Sequence, residues 1–279
     1  MSTLDTSSRP VHDERLLEAL SAGARPPRAS ALSASLTFGW RALLKIKHVP
    51  EQLGDVIGIP IIFTLMFTYL LGGALVGSTG DYLRYLLPGS LVMTVLLVST
   101  YAGVTLNTDI AKGVFDRFRS LPVWRLAPVV GGLLGDLGRY LIASALVLVL
   151  GLLTGFRPDG GIVGVVLAVA LVLLFSVSLS WVWAVVGLVM RTPSAVMNLG
   201  MLILFPLTFA SNVFVDPRTL PSWLQAFVDV NPVTHLVTAT RGLMNGTGTA
   251  GQVGWVLLAS AVLTAVFAPL TLRVYGGKT

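Results

Sequence analysis

Residues Asn107–Pro128 read NTDIAKGVFDRFRSLPVWRLAP and lie between two runs that are apolar enough to cross a lipid bilayer. At about 100° per residue, the apolar side chains from Ile110 to Leu121 fall on one face of a helix, and the charged side chains fill the rest. Proline cannot continue a helix, so the Leu121-Pro122 pair would end it. The stretch predicts an amphipathic helix outside the membrane, from Asp109 to Leu121. A simple turn between two spans needs only a few polar residues, so an ordered apolar face indicates a docking site for a soluble partner.

The rest of the sequence has the composition of a membrane protein. Charged residues make up 11% of the 279 residues, whereas a soluble domain averages about 25%. Six windows reach the roughly 20 apolar residues that a spanning helix needs. We therefore predict an all-α polytopic membrane domain over residues 35–279, preceded by a mobile cytoplasmic arm over residues 1–34. The six predicted spans are Leu53–Leu75, Leu86–Leu106, Val129–Leu153, Ile162–Met190, Ala195–Val215 and Val253–Leu272.

Lysine and arginine are distributed unequally between the two sides of these predicted spans. Of the 19 basic residues, ten lie close to a span on the side of the 107–128 loop and four lie on the other side. Arg139 falls inside a span, and the remaining four are too far from any span to count. The positive-inside rule then places both chain ends in the cytoplasm, and we expect the membrane to be a bacterial plasma membrane. Arginine is far commoner than lysine, which is typical of high-GC bacteria such as actinomycetes.

Short helices are predicted outside the spans as well. Residues 35–47 combine Leu36 and Trp40 with basic residues, which is typical of a helix lying in the membrane interface. The long connection before the last span contains two segments that open on proline, Pro221–Val230 and Pro232–Met244. We expect these two segments to form short helices that enter the outer leaflet partway.

Several kinds of chemistry are not indicated by the sequence. Gly277-Lys278-Thr279 looks like the end of a phosphate-binding loop, but Leu272 stands where the first glycine is needed. The three histidines have no acids or thiols at metal-ligand spacing, and the chain has no cysteine. The net charge of +6 is divided among the loops rather than pooled in one patch. We therefore predict no catalytic, cofactor or metal site in this chain, and no nucleic-acid partner.

One pair of charges falls inside a predicted span. Asp136 and Arg139 are three residues apart, and ionisable residues inside a membrane are by default candidates for function. We favour a simpler interpretation, an ion pair at a helix end within reach of the lipid headgroups. Aromatic residues in the spans could line a path for a flat solute, but we expect them to face lipid or the interface. They are Phe63, Phe67, Tyr101, Trp181, Trp183, Phe205 and Phe209.

Three stretches, in this order, resemble the permease subunits of the second type of ABC exporter. They are Lys112–Pro128, Gly131–Leu141 (GGLLGDLGRYL) and the outer segment Ala210–Met244. The family includes exporters of drugs, polysaccharides and O-antigen. Within it, Leu36–Leu53 and Gly155–Gly164 are most similar to the daunorubicin/doxorubicin resistance permeases of antibiotic-producing actinomycetes.

The resemblance implies a permease that exports a hydrophobic or amphipathic antibiotic of the anthracycline type. It implies a homodimer of this chain with two copies of a separate ATPase subunit, which would bind ATP and Mg²⁺. The 109–121 helix would couple the permease to the ATPase, and the outer helices would close the exit. The implied coupling residues are Asp109, Ile110, Lys112, Val114, Phe115, Asp116, Arg117, Phe118, Arg119 and Leu121. The implied outer gate residues are Trp223, Asn231, Pro232 and Arg241.

Three alternatives stay open. A transporter driven by an ion gradient would need buried acids near the middle of the membrane, for which Asp136 is the candidate. A membrane-anchored scaffold would bind a partner through the Ile110 face without moving a solute. A permease of the same family could export lipid or polysaccharide instead of a drug.

Overall fold

The computed structural model describes Ser30, Ser33, Gly58 and residues 35–41, 61–70, 79–113 and 127–277. These residues form helices and connections, with no strand among them. The predicted arm over residues 1–34 lies outside this part of the chain, apart from Ser30 and Ser33. The helices are α1 (35–41), α2 (Ile61–Leu70), α3 (Thr79–Ser99), α4 (Tyr101–Ala111), α5 (Ala127–Leu153), α6 (Gly161–Val189), α7 (Pro193–Phe209), α8 (Ser222–Val230), α9 (Pro232–Met244) and α10 (Ala250–Gly277).

Four stretches of helix in the described part of the chain are long and apolar enough to cross a membrane. They are Gly80–Ala111, which joins α3 to α4, and then Val130–Leu153, Gly161–Val189 and Ala250–Gly277. The 29 residues of α6 extend about 43 Å at 1.5 Å per residue, more than the roughly 30 Å of a hydrocarbon core. The described part of the chain is therefore helical, with several helices long and apolar enough to span a membrane.

The predicted spans agree with the helices to different degrees. The windows Val129–Leu153, Ile162–Met190 and Val253–Leu272 match α5, α6 and α10 to within five residues at each end. The window Leu86–Leu106 lies inside the longer Gly80–Ala111 stretch. Its polar outer end, with Tyr82 and Tyr85, lowers the local hydropathy although both residues are helical. Of the window Leu53–Leu75, only Gly58 and residues 61–70 are described, and they are helical.

The predicted span Ala195–Val215 is wrong at its C-terminal end. Helix α7 ends at Phe209, and the following residues form turns in which Val213 and Phe214 are buried. A hydropathy window cannot distinguish an apolar turn that packs inside the protein from the last turn of an apolar helix. Helices α8 and α9 occupy Ser222–Val230 and Pro232–Met244, the two segments where short helices are predicted. Their place in the outer leaflet stays a prediction.

Helix α3 forms the centre of the bundle. The apolar window of Gly80–Ala111 is 83% buried, whereas that of α10 is 11% buried. The buried side chains include Leu86, Leu87, Leu91 and Leu96 of α3, each fully enclosed. Helix α10 presents apolar residues on nearly every side, as expected for a helix at the lipid boundary. The predicted interfacial helix over 35–47 is described as far as residue 41, and that part is helical, with Trp40 exposed.

Candidate functional site

The C-terminal end of α4 leads directly into the predicted coupling segment. Asp109 and Ile110 lie in the last turn of α4, and the Lys112 N–H donates to Thr108 O at 3.0 Å. Gly113 then adopts a φ of 64°, a left-handed conformation that ends a helix and that glycine adopts without strain. The prediction that one helix runs from Asp109 to Leu121 is therefore wrong at its start. The remaining predicted residues lie outside the described part of the chain: Val114, Phe115, Asp116, Arg117, Phe118, Arg119 and Leu121.

Asn107 joins α4 to the end of α6. Its Nδ2 donates to Gly187 O at 2.8 Å and to Met190 O at 2.7 Å, and the residue is 4% exposed. The last carbonyls of a helix have no partner within that helix and need one from elsewhere. The Asn107 side chain thus supplies, from a different helix, hydrogen bonds to the C-terminal end of α6.

Below this cap, the backbones of α4 and α6 approach each other through two glycines. A Cβ atom added to Gly103 would lie 2.3 Å from Trp183 O, and one added to Gly187 would lie 2.4 Å from Gly103 O. One turn further, Trp183 Nε1 donates to Ser99 Oγ at 3.0 Å, with both side chains buried. We call these residues the α4–α6 seam: Ser99, Gly103, Asn107, Trp183, Gly187 and Met190. Small residues let membrane helices pack this closely, and hydrogen bonds then fix their register.

The structure pairs Asp136 with Arg139 deep in the bundle. Arg139 Nη1 donates to Asp136 Oδ1 at 2.7 Å, and both side chains are more than nine-tenths buried. Arg139 also donates to Thr105 Oγ1 of α4 at 3.3 Å. The ion pair agrees with the sequence interpretation, but its expected place at a helix end is wrong. Arg139 is the thirteenth of the 27 residues of α5, so the charges face protein rather than headgroups.

The pair is followed by a further polar contact between α5 and α6. Tyr140 Oη and Ser180 Oγ are 2.7 Å apart, and both residues are fully buried. One turn further, the Ser144 and Ser176 hydroxyls are also buried and have no hydrogen-bond partner among the described residues. Polar groups in a membrane interior are costly unless paired, so the Tyr140–Ser180 hydrogen bond favours one register of α5 against α6.

Arg241 connects α9 to two other elements at the opposite end of the helix bundle from Asn107. Its Nε donates to Tyr85 O at 3.0 Å and its Nη2 to Asn212 O at 2.8 Å. The guanidinium carbon lies 3.8 Å from the centre of the Tyr85 ring, a favourable cation–π distance. Asn212 is held from the other side, because its Nδ2 donates to Thr238 Oγ1 at 2.8 Å. We call these four residues the outer clamp.

Burial lowers the pKa of the Arg241 guanidinium, and the neighbouring Tyr85 and Asp216 oppose that shift. An arginine stays protonated at any physiological pH, so the clamp holds a fixed positive charge. The sequence count of loop charges included Arg241 as a residue of the outer loop. In the structure it is mostly enclosed by protein, so its charge does not report on the membrane surface.

The other predicted gate residues have different surroundings. Asn231 Nδ2 donates to Leu207 O at 2.7 Å and Ala210 O at 2.8 Å, at the end of α7. Its Oδ1 accepts from Val233 N at 2.9 Å and caps α9, which begins with Pro232. Asn231 therefore joins the end of α7 to the start of α9. Trp223 of α8 is 73% exposed.

The aromatic residues are not all at the surface. Trp183 and Tyr101 are buried, so the expectation that they face lipid or the interface is wrong for both. Phe63 and Phe67 of α2 instead join a stacked cluster with residues of α7 and the following turn. The ring centres of successive members are 4.6–5.6 Å apart: Phe63–Phe67, Phe67–Phe214, Phe209–Phe214 and Phe205–Phe209.

Sequence reasoning missed the seam and most of the outer clamp. Asn107 stands at the start of the quoted loop, where a polar residue at the end of an apolar run is a weak signal. Gly103 and Gly187 give no signal of their own, because their role depends on two helices meeting at those positions. In the described residues, no group of three or more His, Cys, Asp or Glu side chains is placed to hold a metal ion.

The fold and these contacts define a polytopic helical membrane protein whose buried polar groups join helices to one another. Residues 34–245 match the family model described as ABC-2 type transporter, and the chain belongs to that family. It is 52% identical over 272 residues to the daunorubicin resistance ABC transporter permease protein DrrB1 of Streptomyces coeruleorubidus, covering 98% of this chain and 96% of the relative.

Two further relatives are more distant. The chain is 29% identical over 214 residues to the doxorubicin resistance ABC transporter permease protein DrrB of Mycobacterium tuberculosis, covering 76% of this chain and 74% of the relative. It is 28% identical over 184 residues to ABC transporter G family member 20 of Dictyostelium discoideum, covering 63% of this chain and 24% of that protein. The resemblance seen in the sequence is confirmed, and the chain is an ABC-2 permease.

Proposed function

We propose that this chain is the permease subunit of an ATP-driven exporter of an amphipathic, anthracycline-like drug, and that it confers resistance to that drug. The observation that carries the proposal is the 52% identity to a daunorubicin resistance permease over nearly the full length of both proteins. The permease itself is non-catalytic. ATP and Mg²⁺ bind to a separate ATPase subunit, and no cofactor belongs to this chain.

The proposed assembly is a homodimer of this chain with two ATPase subunits in a bacterial plasma membrane. Each chain crosses the membrane six times, with the stretches that contain α2 and α7 completing the four longer spans. Both chain ends lie in the cytoplasm, which agrees with the ten basic residues on the side of the 107–128 loop. Single cysteines test this topology, because the native chain has none. A cysteine at Ser222 reacts with an impermeant thiol reagent in intact cells, and one at Ser120 does not.

The two ends of the permease have separate roles in this proposal. The residues after Gly113, with Phe115 and Phe118 on their apolar face, insert into a groove of the ATPase. The outer helices α8 and α9 control the exit, with Trp223, Asn231, Pro232 and Arg241 among their residues. Asn231 and the outer clamp support this role, because they tie α9 to the ends of α3 and α7.

Drug accumulation in cells tests the function. Cells that lack any cognate ATPase receive this chain alone, the ATPase alone, or both, and intracellular daunorubicin is measured by fluorescence. We expect lower accumulation only when both proteins are present. Lower accumulation with this chain alone would instead favour transport driven by an ion gradient. Normal daunorubicin accumulation, together with ATP-dependent lipid or polysaccharide export, would change the substrate class.

A further inference from the structure

Helix α6 contacts the cytoplasmic end of α4 through a regular series of contacts. The two helices run in the same direction. Ser99, the last residue of α3, meets Trp183, and within α4 Gly103 meets Gly187 and Asn107 reaches Gly187 and Met190. The glycine pair leaves no room for a side chain between the backbones. Sliding or rotating α4 against α6 would break the Asn107 hydrogen bonds and press backbone against backbone. The end of α4 and the end of α6 are therefore joined as one body.

The other end of α6 is joined in a similar way to the outer helix α9. Gly160 N donates to Met244 O, the last residue of α9, at 2.8 Å. A Cβ atom added to Gly160 or to Gly164 would lie 2.3 Å from Leu243 O. The two ends of α6 thus contact different helices through backbone groups. The C-terminal end contacts α4, and the N-terminal end contacts α9. About 27 residues separate Gly160 from Gly187, a distance of about 40 Å along the helix.

We infer that α6 transmits movement of the C-terminal end of α4 to the outer helix α9, and that Asn107 is the positioning residue that joins α4 to α6. The inference rests on the proposed function, since it needs an ATPase that moves this end of α4. Asn107 acts through α6 and touches neither nucleotide nor drug. Its place six residues before Gly113 puts it at the entry of the proposed coupling segment into the bundle.

The neighbouring helix α5 is a weaker candidate for this transmission. Its hydrogen bond to α4, from Arg139 to Thr105, is 3.3 Å long and joins two side chains. Arg139 is held more closely by Asp136 of its own helix, at 2.7 Å. Asn107, by contrast, binds two backbone carbonyls at 2.7–2.8 Å, so a displacement of α4 moves the α6 backbone directly.

A single-cysteine reporter tests the inference in the complete complex. The native chain has no cysteine, and Thr247 is an exposed residue just after α9. The variant Thr247→Cys, purified with the ATPase in lipid nanodiscs, is labelled with an impermeant maleimide without nucleotide and with a non-hydrolysable ATP analogue. We expect ATP binding to change the labelling rate at least about fivefold, the lower end of typical coupling between linked sites. Adding Asn107→Ala abolishes this change while the ATPase still co-purifies.

Two further variants separate transmission from general damage. Asn198→Ala removes an exposed asparagine of α7 near the same end of the bundle, and it leaves the ATP-dependent change intact. Asn107→Gln keeps the donor amide and restores part of the change. If Asn107→Ala is not recovered in the membrane, Ser99→Ala tests the same seam by removing the Trp183 hydrogen bond, and it reduces the change.

The outcomes distinguish the inference from the proposed function. A full ATP-dependent change of the labelling rate in Asn107→Ala would overturn the inference. If only Ser99→Ala is recovered, a full change in that variant has the same meaning. An unchanged labelling rate in the parent Thr247→Cys complex would also overturn the inference. Daunorubicin transport by the parent complex is measured in the same preparation. If labelling depends on ATP and on Asn107 but no drug is transported, the inference stands and the proposed substrate fails.

Discussion

Replacing Gly103 with alanine perturbs a close approach of two helix backbones in the described structure of this permease. The added Cβ atom would lie 2.3 Å from Trp183 O and 3.0 Å from Val196 Cγ1. An ordinary contact begins at 3.4 Å, so the α4 and α6 backbones must separate by about 1.1 Å, the difference between 3.4 and 2.3 Å. Such overpacking costs about 1–3 kcal/mol. The separation also lengthens both Asn107 hydrogen bonds, each worth about 0.5–1.5 kcal/mol.

One effect acts in the opposite direction. Alanine is favoured over glycine within a helix by about 1 kcal/mol. Subtracting this gain from about 1–3 kcal/mol of overpacking and about 1–3 kcal/mol for the two hydrogen bonds leaves an expected net loss for Gly103→Ala of about 1–5 kcal/mol. Gly132 of α5 and Gly254 of α10 have nothing within 4 Å of an added Cβ. Gly132→Ala and Gly254→Ala are therefore matched controls, and both should leave stability unchanged or raise it by up to about 1 kcal/mol.

Unfolding in detergent, followed by circular dichroism during titration with a denaturing surfactant, measures these differences. Gly187→Ala should cost a similar amount, because its Cβ would lie 2.4 Å from Gly103 O. The double variant should lose less than the sum of the two single variants, because they disturb one shared contact. If Gly103→Ala were as stable as Gly132→Ala, the backbones would not approach this closely and the argument for a rigid seam would fail.

Arg241→Met removes two charged hydrogen bonds and a cation–π contact from the outer clamp, but it also relieves the burial of a charge, so we expect a net loss of about 1–3 kcal/mol. Exposed Arg218→Met should change stability by less than about 0.5 kcal/mol. Burial lowers the pKa of the Arg241 guanidinium, so the cost of burying its charge is relieved only when the pH rises through that pKa and the group loses its proton. Arginine keeps its proton well above neutral pH, so the difference in unfolding free energy between the parent and Arg241→Met should be constant from about pH 6 to about pH 9. A difference that changes with pH in this range would contradict the assignment. Asn231→Ala should lower the free energy of unfolding by about 1–3 kcal/mol, because it removes the hydrogen bonds to the end of α7 and the cap of α9. It should also speed proteolysis between α7 and α9. Phe118→Asp should leave the permease in the membrane but weaken its co-purification with the ATPase about tenfold or more, a loss of about 1.4 kcal/mol or more; unchanged co-purification would remove Phe118 from the coupling surface.

The positions of the long helices could be predicted from the sequence because each is a long apolar run in a chain with few charges. The two outer helices were predictable for a different reason. Pro221 and Pro232 mark their starts, and proline is favoured in the first turn of a helix. The family could be recognised because its motifs combine charged, aromatic, glycine and proline residues in a particular order, rather than apolar residues in general.

Other features depend on contacts that no local pattern encodes. The turn at Val213 and Phe214 is as apolar as a span, and it is fixed by Tyr82, whose hydroxyl donates to Phe214 O at 3.2 Å from 132 residues away. The sequence places Arg241 among the charges of the outer loop, and only the structure shows that its guanidinium donates to Tyr85 O and Asn212 O. The Asp136–Arg139 spacing predicted an ion pair, but its depth depends on how α5 packs against α4.

Drug uptake into inside-out vesicles tests the central claim most directly. Vesicles that contain this chain and its ATPase receive daunorubicin, and fluorescence quenching reports its accumulation. The account predicts uptake that requires ATP, requires both proteins, persists when a protonophore collapses the proton gradient, and is lost in Phe118→Asp. Uptake by vesicles that contain this chain without the ATPase, driven by a proton gradient and abolished by the protonophore, would contradict it.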